Sequence, residues 1–268
     1  MQSDSRDRSE QPPASAYRPS AIRVLRKSVA DAWSYLAFFV AANVVWVILL
    51  GLPLSLLGRL AMKPPGFASG LALTVMTLSA GNAMLFGVTN RIARGDVSLG
   101  DFRAAVADYA LPSLALLVLL IGVFGLGVFN VYFYLKVLSG PWWRIIGIIW
   151  GYAAAMAALA IFYCYPVLVE QRCGPLTAIK RSALLFLDNP RYTFSIAGAL
   201  LLWTVLVILP VLAGLRIVVG LSALVLCFVE AGLVALVANN ALLELLRKYE
   251  MTEKKRNAAG DMPGDSGG

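Results

Sequence analysis

Histidine is absent from this 268-residue sequence, and only three cysteines are present. The absence of histidine excludes histidine-based acid–base catalysis, the usual serine triad and most zinc sites. The sequence also lacks a phosphate-binding Walker loop, a nucleophile elbow of the G-x-S-x-G type and a dinucleotide-binding glycine motif. We therefore expect a protein that is not an enzyme and that has no metal or cofactor.

Charged residues are scarce as well, at 14% of the chain, whereas apolar residues make up 59% and the mean hydropathy is +0.76. The apolar residues form six blocks, each longer than the roughly 20 helical residues that cross a hydrocarbon core. In lipid, a helix satisfies its own backbone groups. The pattern predicts an all-α polytopic membrane bundle with six transmembrane helices, over about residues 34–58, 67–90, 110–135, 145–169, 192–215 and 217–243.

The 23 Lys and Arg residues are distributed unevenly and outnumber the 15 Asp and Glu residues, which gives a net charge of +8. Eighteen of them lie in the termini and the even-numbered loops, and five lie in the odd-numbered loops. Since basic residues concentrate in cytoplasmic loops, we expect a multi-pass plasma-membrane protein with both termini cytoplasmic. The basic residues would attract anionic lipid headgroups at the cytoplasmic face, and we expect no nucleic-acid partner.

The two ends of the chain differ from the apolar middle. Residues 1–19 and 251–268 are rich in Ser, Pro, Gly and charge. Segments of this composition cannot bury a core, so we expect two disordered cytoplasmic tails around a transmembrane domain at residues 20–250.

A pattern with a period of 77 residues precedes the first, third and fifth spans. Each copy has three apolar residues and one basic residue at the spacing of a short amphipathic helix, which is typical of the membrane interface. The copies are Ile22, Leu25 and Val29 with Arg26, then Leu99, Phe102 and Val106 with Arg103, then Leu176, Ile179 and Ala183 with Lys180. We expect three hairpins, each preceded by an interfacial helix whose apolar face is turned toward the spans. Coincidental spacing is the alternative.

Glu230 is the one charged residue within a predicted span. A charge at the bilayer centre costs at least about 2.5 kcal/mol, so we expect this side chain to face the bundle interior. Asn43 and Asn82 lie at similar depths and are its candidate partners. We expect Glu230 to be the neutral acid, hydrogen-bonded to neighbouring polar groups. Its role is either a structural hydrogen bond or a proton or solute site.

Several short motifs occur along the apolar part of the chain: Asn43-x-x-Trp46 with Pro53, Asn90-Arg91, Arg94-Gly95-Asp96 leading to Asp101-Phe102, and Asn130. Together they resemble the YesL-like family of bacterial integral membrane proteins. The resemblance covers roughly Ser28 to Glu250, although the first outer loop of this chain is longer and contains Pro-Pro. The family has no established biochemical activity, and its members are often found near carbohydrate-uptake genes. The resemblance therefore implies a link to carbohydrate uptake.

Two functions are compatible with the sequence. The first is a non-catalytic accessory or scaffold whose basic cytoplasmic face and interfacial helices bind a membrane protein such as a sugar importer. The second is a small-solute transporter or channel with a pore through the bundle. A polar stripe that continues across several spans would favour transport, whereas isolated polar residues would favour the accessory function.

Overall fold

The computed structural model describes residues 19–60, 64–138, 140–212, 222 and 225–260. The described residues form nine α-helices: α1 (Ala21–Ser34), α2 (Leu36–Leu60), α3 (Pro64–Arg94), α4 (Gly100–Tyr132), α5 (Pro141–Ile161), α6 (Cys164–Gln171), α7 (Pro175–Asp188), α8 (Pro190–Leu212) and α9 (Ala231–Gly260). A short π-helical segment, Phe133–Val137, follows α4, and a second one, Leu226–Glu230, precedes α9.

Six helical segments within the described residues are long and apolar enough to cross a membrane, which confirms the predicted all-α membrane bundle. They are Leu36–Leu56, Phe67–Arg94, Gly100–Val137, Pro141–Gln171, Pro190–Leu209 and Phe228–Glu253. The chain is therefore a multi-pass membrane protein. Residues 213–221, where the fifth predicted span ends and the sixth begins, lie outside the described residues.

The predicted tails are only partly described. Residues 1–18 and 261–268 lie outside the described residues. Residues 251–260, which we expected to be disordered, continue α9 as helix. This stretch contains Met, Glu, Lys and Ala, which are good helix formers, and extending an existing helix requires no new nucleus.

The helix bounds recur at the predicted period. The first residue of α7 lies twice 77 residues after the first residue of α1, and the same separation holds for their last residues. Helix α3 and the α5–α6 pair match at a shift of 77, since Pro64 corresponds to Pro141 and Arg94 to Gln171. The following residues, Gly95 and Arg172, both have positive φ angles, of 83° and 45°. These agreements support three repeated units over coincidence.

The second lead-in segment is not a separate helix, contrary to expectation. Helix α4 begins at Gly100 and continues through the span. In the other two units the lead-in helix ends at Tyr35 or Asn189, whose backbone is not helical. The equivalent residue of α4 is Pro112, inside the helix. Proline removes one backbone hydrogen bond but keeps a helical φ angle, so the helix continues here.

The lead-in segments turn only part of the expected apolar face to the bundle, since Leu25, Phe102 and Ile179 pack against the core. The first apolar position of each copy is largely exposed, by 79% at Ile22, 78% at Leu99 and 72% at Leu176. The buried stripe lies two to three residues further along, at Val24 and Ser28 in α1 and at Ala178 and Ser182 in α7. Mostly small residues form this stripe because they allow close helix contacts. The first apolar residue of each copy points outward instead, as in helices that lie against lipid.

Each lead-in segment packs on the hairpin before it. The equivalent residues Ser28, Ala105 and Ser182 are all buried. Ser28 Oγ accepts a hydrogen bond of 3.0 Å from Asn240 of α9, and Ser182 Oγ donates to the carbonyl oxygen of Ala160. A Cβ atom on Gly87 of α3 would lie 2.5 Å from Cβ of Ala105. Helix α1 therefore packs on the last hairpin and closes the three units into a ring. In the middle of the ring, α3, α6 and α9 contact one another.

Candidate functional site

Glu230 is held by helix α8. Its Oε2 accepts a hydrogen bond of 2.7 Å from Trp203 Nε1, and its Oε1 lies 2.5 Å from Thr204 Oγ1. The same hydroxyl group lies 3.0 Å from the carbonyl oxygen of Leu200. A threonine hydroxyl has one proton, so it can donate to only one of these two oxygen atoms at a time.

Asn43 connects α2 to the start of α9. The side chain is fully buried. Its Nδ2 donates to the carbonyl oxygen of Phe39 at 2.9 Å, and its Oδ1 accepts from the backbone N–H of Gly232 at 2.7 Å. The amide therefore serves as a polar contact between helices, in a place where a side chain at position 232 would collide with it.

Asn82 connects three helices. Its Oδ1 accepts from Trp46 Nε1 of α2 at 2.9 Å, and its Nδ2 donates to the hydroxyl group of Tyr165 of α6 at 3.2 Å. The Tyr165 ring also stacks on Phe86 at 4.9 Å between centroids. Glu230, Asn43 and Asn82 thus form three separate contacts. The structure does not bring Glu230 together with the two asparagines that we expected as its partners.

The three basic residues of the repeated pattern are exposed. Arg26, Arg103 and Lys180 occupy equivalent positions at the end of the bundle where α1, α7 and the start of α4 lie, which we call the lead-in end. Within the described residues none of the three takes part in an ion pair or a hydrogen bond. The lead-in end therefore presents one uncompensated positive charge from each unit.

A polar cluster between α1 and α9 could not be predicted from the sequence. Lys27 Nζ lies 2.6 Å from Asp31 Oδ2 and 2.7 Å from Asn240 Oδ1, and Asn240 Nδ2 also donates to Asp31. Arg23 pairs with the buried Glu244 at 2.9 Å. The only sequence signals were the spacing of Lys27 and Asp31 and an asparagine pair in the sixth span. The partners on α9 follow more than two hundred residues later.

A cavity of about 190 Å³ opens at the lead-in end between α3, α4 and α6. We call it the α3–α4–α6 cavity. Glu170 on its wall accepts a hydrogen bond of 2.9 Å from Asn90 and pairs with Arg94. Arg91 pairs with Asp96 at 3.0 Å and with Asp101 at 3.6 Å. The motif residues Asn90, Arg91, Arg94 and Asp101 therefore line one cavity, which the sequence did not reveal.

Two further charged residues line this cavity without a partner. Asp108 comes from α4, and Arg172 follows α6. Within the part of the chain that the structure describes, neither residue forms an ion pair or a hydrogen bond. Tyr109, next to Asp108, donates to the carbonyl oxygen of Val169 at 3.2 Å. The cavity thus contains one uncompensated negative charge and one uncompensated positive charge.

Asp188 ends α7 beside the far part of α9. It accepts a hydrogen bond from the hydroxyl group of Tyr249, and Lys248 Nζ lies 3.7 Å away. The hydrogen bond from Tyr249 lowers the pKa of Asp188 below its usual value, and the charge of Lys248 acts in the same direction. The described residues contain no group of three or more Cys, Asp or Glu side chains arranged to hold a metal ion.

Comparison with known proteins found no matching family model, no matching curated protein and no matching solved structure.

Proposed function

We propose that the protein is a non-catalytic membrane component that binds a partner through the basic residues of its lead-in end. In the expected topology this end faces the cytoplasm of a plasma-membrane protein. The observation that carries the proposal is the repetition of Arg26, Arg103 and Lys180, which are exposed and uncompensated in all three units. Three such charges on one face suit an acidic protein surface or anionic headgroups.

The polar residues of the spans favour this function over transport. Asn43, Asn82 and Asn239 each bond to a neighbouring helix, and Glu230 bonds to α8. These contacts are separate links of the kind that join helices in membranes. A pathway for a solute would need polar groups in succession across the bundle.

The partner that we expect is a membrane protein with an acidic cytoplasmic surface. The resemblance to the YesL-like family makes a carbohydrate importer the first candidate. That resemblance names a class of partner to test and adds no residue to the binding surface. The alternative function, a small-solute transporter or channel, would require solute flux by the purified protein alone.

The test replaces the three repeated basic residues together, as Arg26→Gln, Arg103→Gln and Lys180→Gln. An exposed ion pair contributes about 0.5 kcal/mol, so losing three should weaken partner binding about tenfold. Quantitative co-purification from crosslinked native membranes would measure the stoichiometric partner. A matched control carries Lys136→Gln and Arg144→Gln at the opposite end of the bundle and should keep the partner. Unchanged recovery in the triple variant, or flux through vesicles containing only this protein, would contradict the proposal.

A further inference from the structure

The ring of three units contains a repeated junction at its lead-in end. Each junction is formed by one lead-in segment and the second helices of two hairpins. In the junction of α9, α1 and α3, the ammonium group of Lys27 lies among three oxygen atoms. Its Nζ is 2.6 Å from Asp31 Oδ2, 2.7 Å from Asn240 Oδ1 and 2.9 Å from the carbonyl oxygen of Ala93. Each of the three donors of the ammonium thus has an acceptor within the chain.

The α3–α4–α6 cavity is the same junction one unit later. A shift of 77 residues puts Ala104 in the place of Lys27, Asp108 in the place of Asp31 and Glu170 in the place of Ala93. Ala104, Asp108 and Glu170 all line the cavity. The carboxylate of the first junction is retained, whereas the lysine that compensates it is replaced by alanine and Asn240, by the same shift around the ring, is replaced by Phe86. The second junction therefore has an open space and an uncompensated carboxylate where the first has an ammonium group.

Arg172 supplies the opposite charge. The equivalent residue of the first unit is Gly95, so this guanidinium group has no counterpart there. Arg91 and Arg94 on the same wall are already paired with carboxylates, whereas Arg172 pairs with no carboxylate among the residues that the structure describes. A ligand that carries both an ammonium group and an anionic group would compensate Asp108 and Arg172 together. Hydrogen bonds between charged groups are the strongest that such a cavity can offer.

The polar cavity adjoins a second one whose lining is partly apolar. A second cavity of about 280 Å³ shares Asp108, Tyr109 and Arg172 with the first and extends along Pro112 and Leu168. Asp108 is the last charged residue before the third span, so this second cavity leads from the lead-in end toward the hydrocarbon region. Leu111, about one turn beyond Asp108 in α4, is 75% exposed. A ligand that fits both cavities has a charged head and an apolar tail.

We propose that this junction binds phosphatidylethanolamine, a phospholipid whose headgroup carries a primary ammonium and a phosphate. The ammonium takes the place that Lys27 Nζ has in the first junction and pairs with Asp108. The phosphate pairs with Arg172, and the acyl chains lie along Pro112 and Leu168. This proposal is independent of the partner binding proposed above, because Arg26, Arg103 and Lys180 do not line the cavity.

The first junction also predicts selectivity among headgroups. A primary ammonium donates N–H bonds to a carboxylate such as Asp108, whereas a trimethylammonium group has no N–H donor and is larger. Phosphatidylcholine should therefore bind more weakly than phosphatidylethanolamine with the same acyl chains. The loss of one charged hydrogen-bonded pair corresponds to about tenfold in affinity. Phosphatidylglycerol, which lacks the ammonium group, should bind weakly for the same reason.

The decisive variant is Ala104→Lys, which restores the lysine of the first junction. Its ammonium should occupy the cavity beside Asp108 and reduce retention of phosphatidylethanolamine about tenfold. The matched control is Ala107→Lys, which adds the same charge to an exposed position of α4 that does not line the cavity. Native mass spectrometry of the full-length protein, titrated in detergent with each lipid, would measure the bound lipid.

Retention that is reduced in Ala104→Lys and preserved in Ala107→Lys supports the proposal. Equal retention in both variants, or equal binding of phosphatidylcholine, overturns it. If Ala104→Lys does not fold, Asp108→Asn decides instead, with the same loss expected and unchanged binding as the contrary result. Free phosphoethanolamine is the last arm. Free phosphoethanolamine should compete poorly with the bound lipid. If it displaces the lipid at equal concentration, the acyl chains take no part in binding. That result would overturn the assignment to a lipid.

Discussion

Gly232→Ala tests the contact between α2 and α9, and its effect should change sign with the residue at position 43. A Cβ atom at position 232 would lie 2.2 Å from Asn43 Nδ2 and 2.9 Å from Asn43 Cγ. The buried Asn43 side chain would have to turn away. It would then lose its bond to Phe39 and the bond it accepts from the N–H of Gly232.

The magnitude follows from these two bonds and from helix propensity. Losing two hydrogen bonds between buried groups in a membrane costs about 1–3 kcal/mol. Alanine in a helix is favoured over glycine by about 1 kcal/mol, which opposes the loss. We therefore expect Gly232→Ala to destabilise the protein by up to about 2 kcal/mol in total.

In an Asn43→Ala background the collision and both hydrogen bonds are gone. Only the propensity remains, so Gly232→Ala should stabilise that variant by about 0.5–1 kcal/mol. The assay is reversible unfolding in mixed micelles for the four members of the double-mutant cycle. The same effect of Gly232→Ala in both backgrounds, in either direction, would refute the contact between Asn43 and Gly232.

Three further predictions concern other contacts. Gly87→Ala should destabilise the protein by about 1–3 kcal/mol through overpacking, because the colliding Cβ of Ala105 is fixed to its backbone. Adding Ala105→Gly should restore the lost stability in the same unfolding assay. Glu230→Gln should keep the contacts with α8 and unfold like the original protein. Glu230→Leu should lower the midpoint of unfolding. Equal unfolding midpoints for the two variants would exclude a structural role. The lowered pKa of Asp188 means that its contribution to stability is present above its ordinary pKa and is lost as the pH falls through its lower folded-state pKa. Tyr249→Phe should therefore flatten the acid side of the stability profile, and an unaltered profile would count against the contact.

The positions of the spans could be predicted from the sequence because the cost of burying charge marks where each span ends. The repeat could be predicted because Arg26, Arg103 and Lys180 recur at one period with their apolar neighbours. Periodicity identified the lead-in segments but not their buried side, since any apolar stripe can face lipid as well as protein. In a membrane protein the small residues, such as Ser28, give the better indication of the packed face.

The candidate sites were less accessible to sequence reasoning. Counting residues along a helix gives the depth of Glu230 but not the direction of its side chain, and the neighbour at that depth is Thr204 of α8. Asn43 accepts a hydrogen bond from a backbone N–H group. Every residue except proline has such a group, so the sequence cannot indicate which one is the partner. Lys27 and Asn240 meet only because the ring closes, and ring closure depends on the packing of all three units.

The proposed partner binding requires the lead-in end of the bundle to face the cytoplasm, so the most direct test is the orientation of the chain. Single cysteines at Val97, Thr177 and Trp142, introduced after replacement of Cys164, Cys173 and Cys227, would be treated with a membrane-impermeant maleimide in sealed cells. We predict that Trp142→Cys is labelled from outside and that Val97→Cys and Thr177→Cys are labelled only after the membrane is opened. Labelling of Val97→Cys or Thr177→Cys in sealed cells would contradict the account.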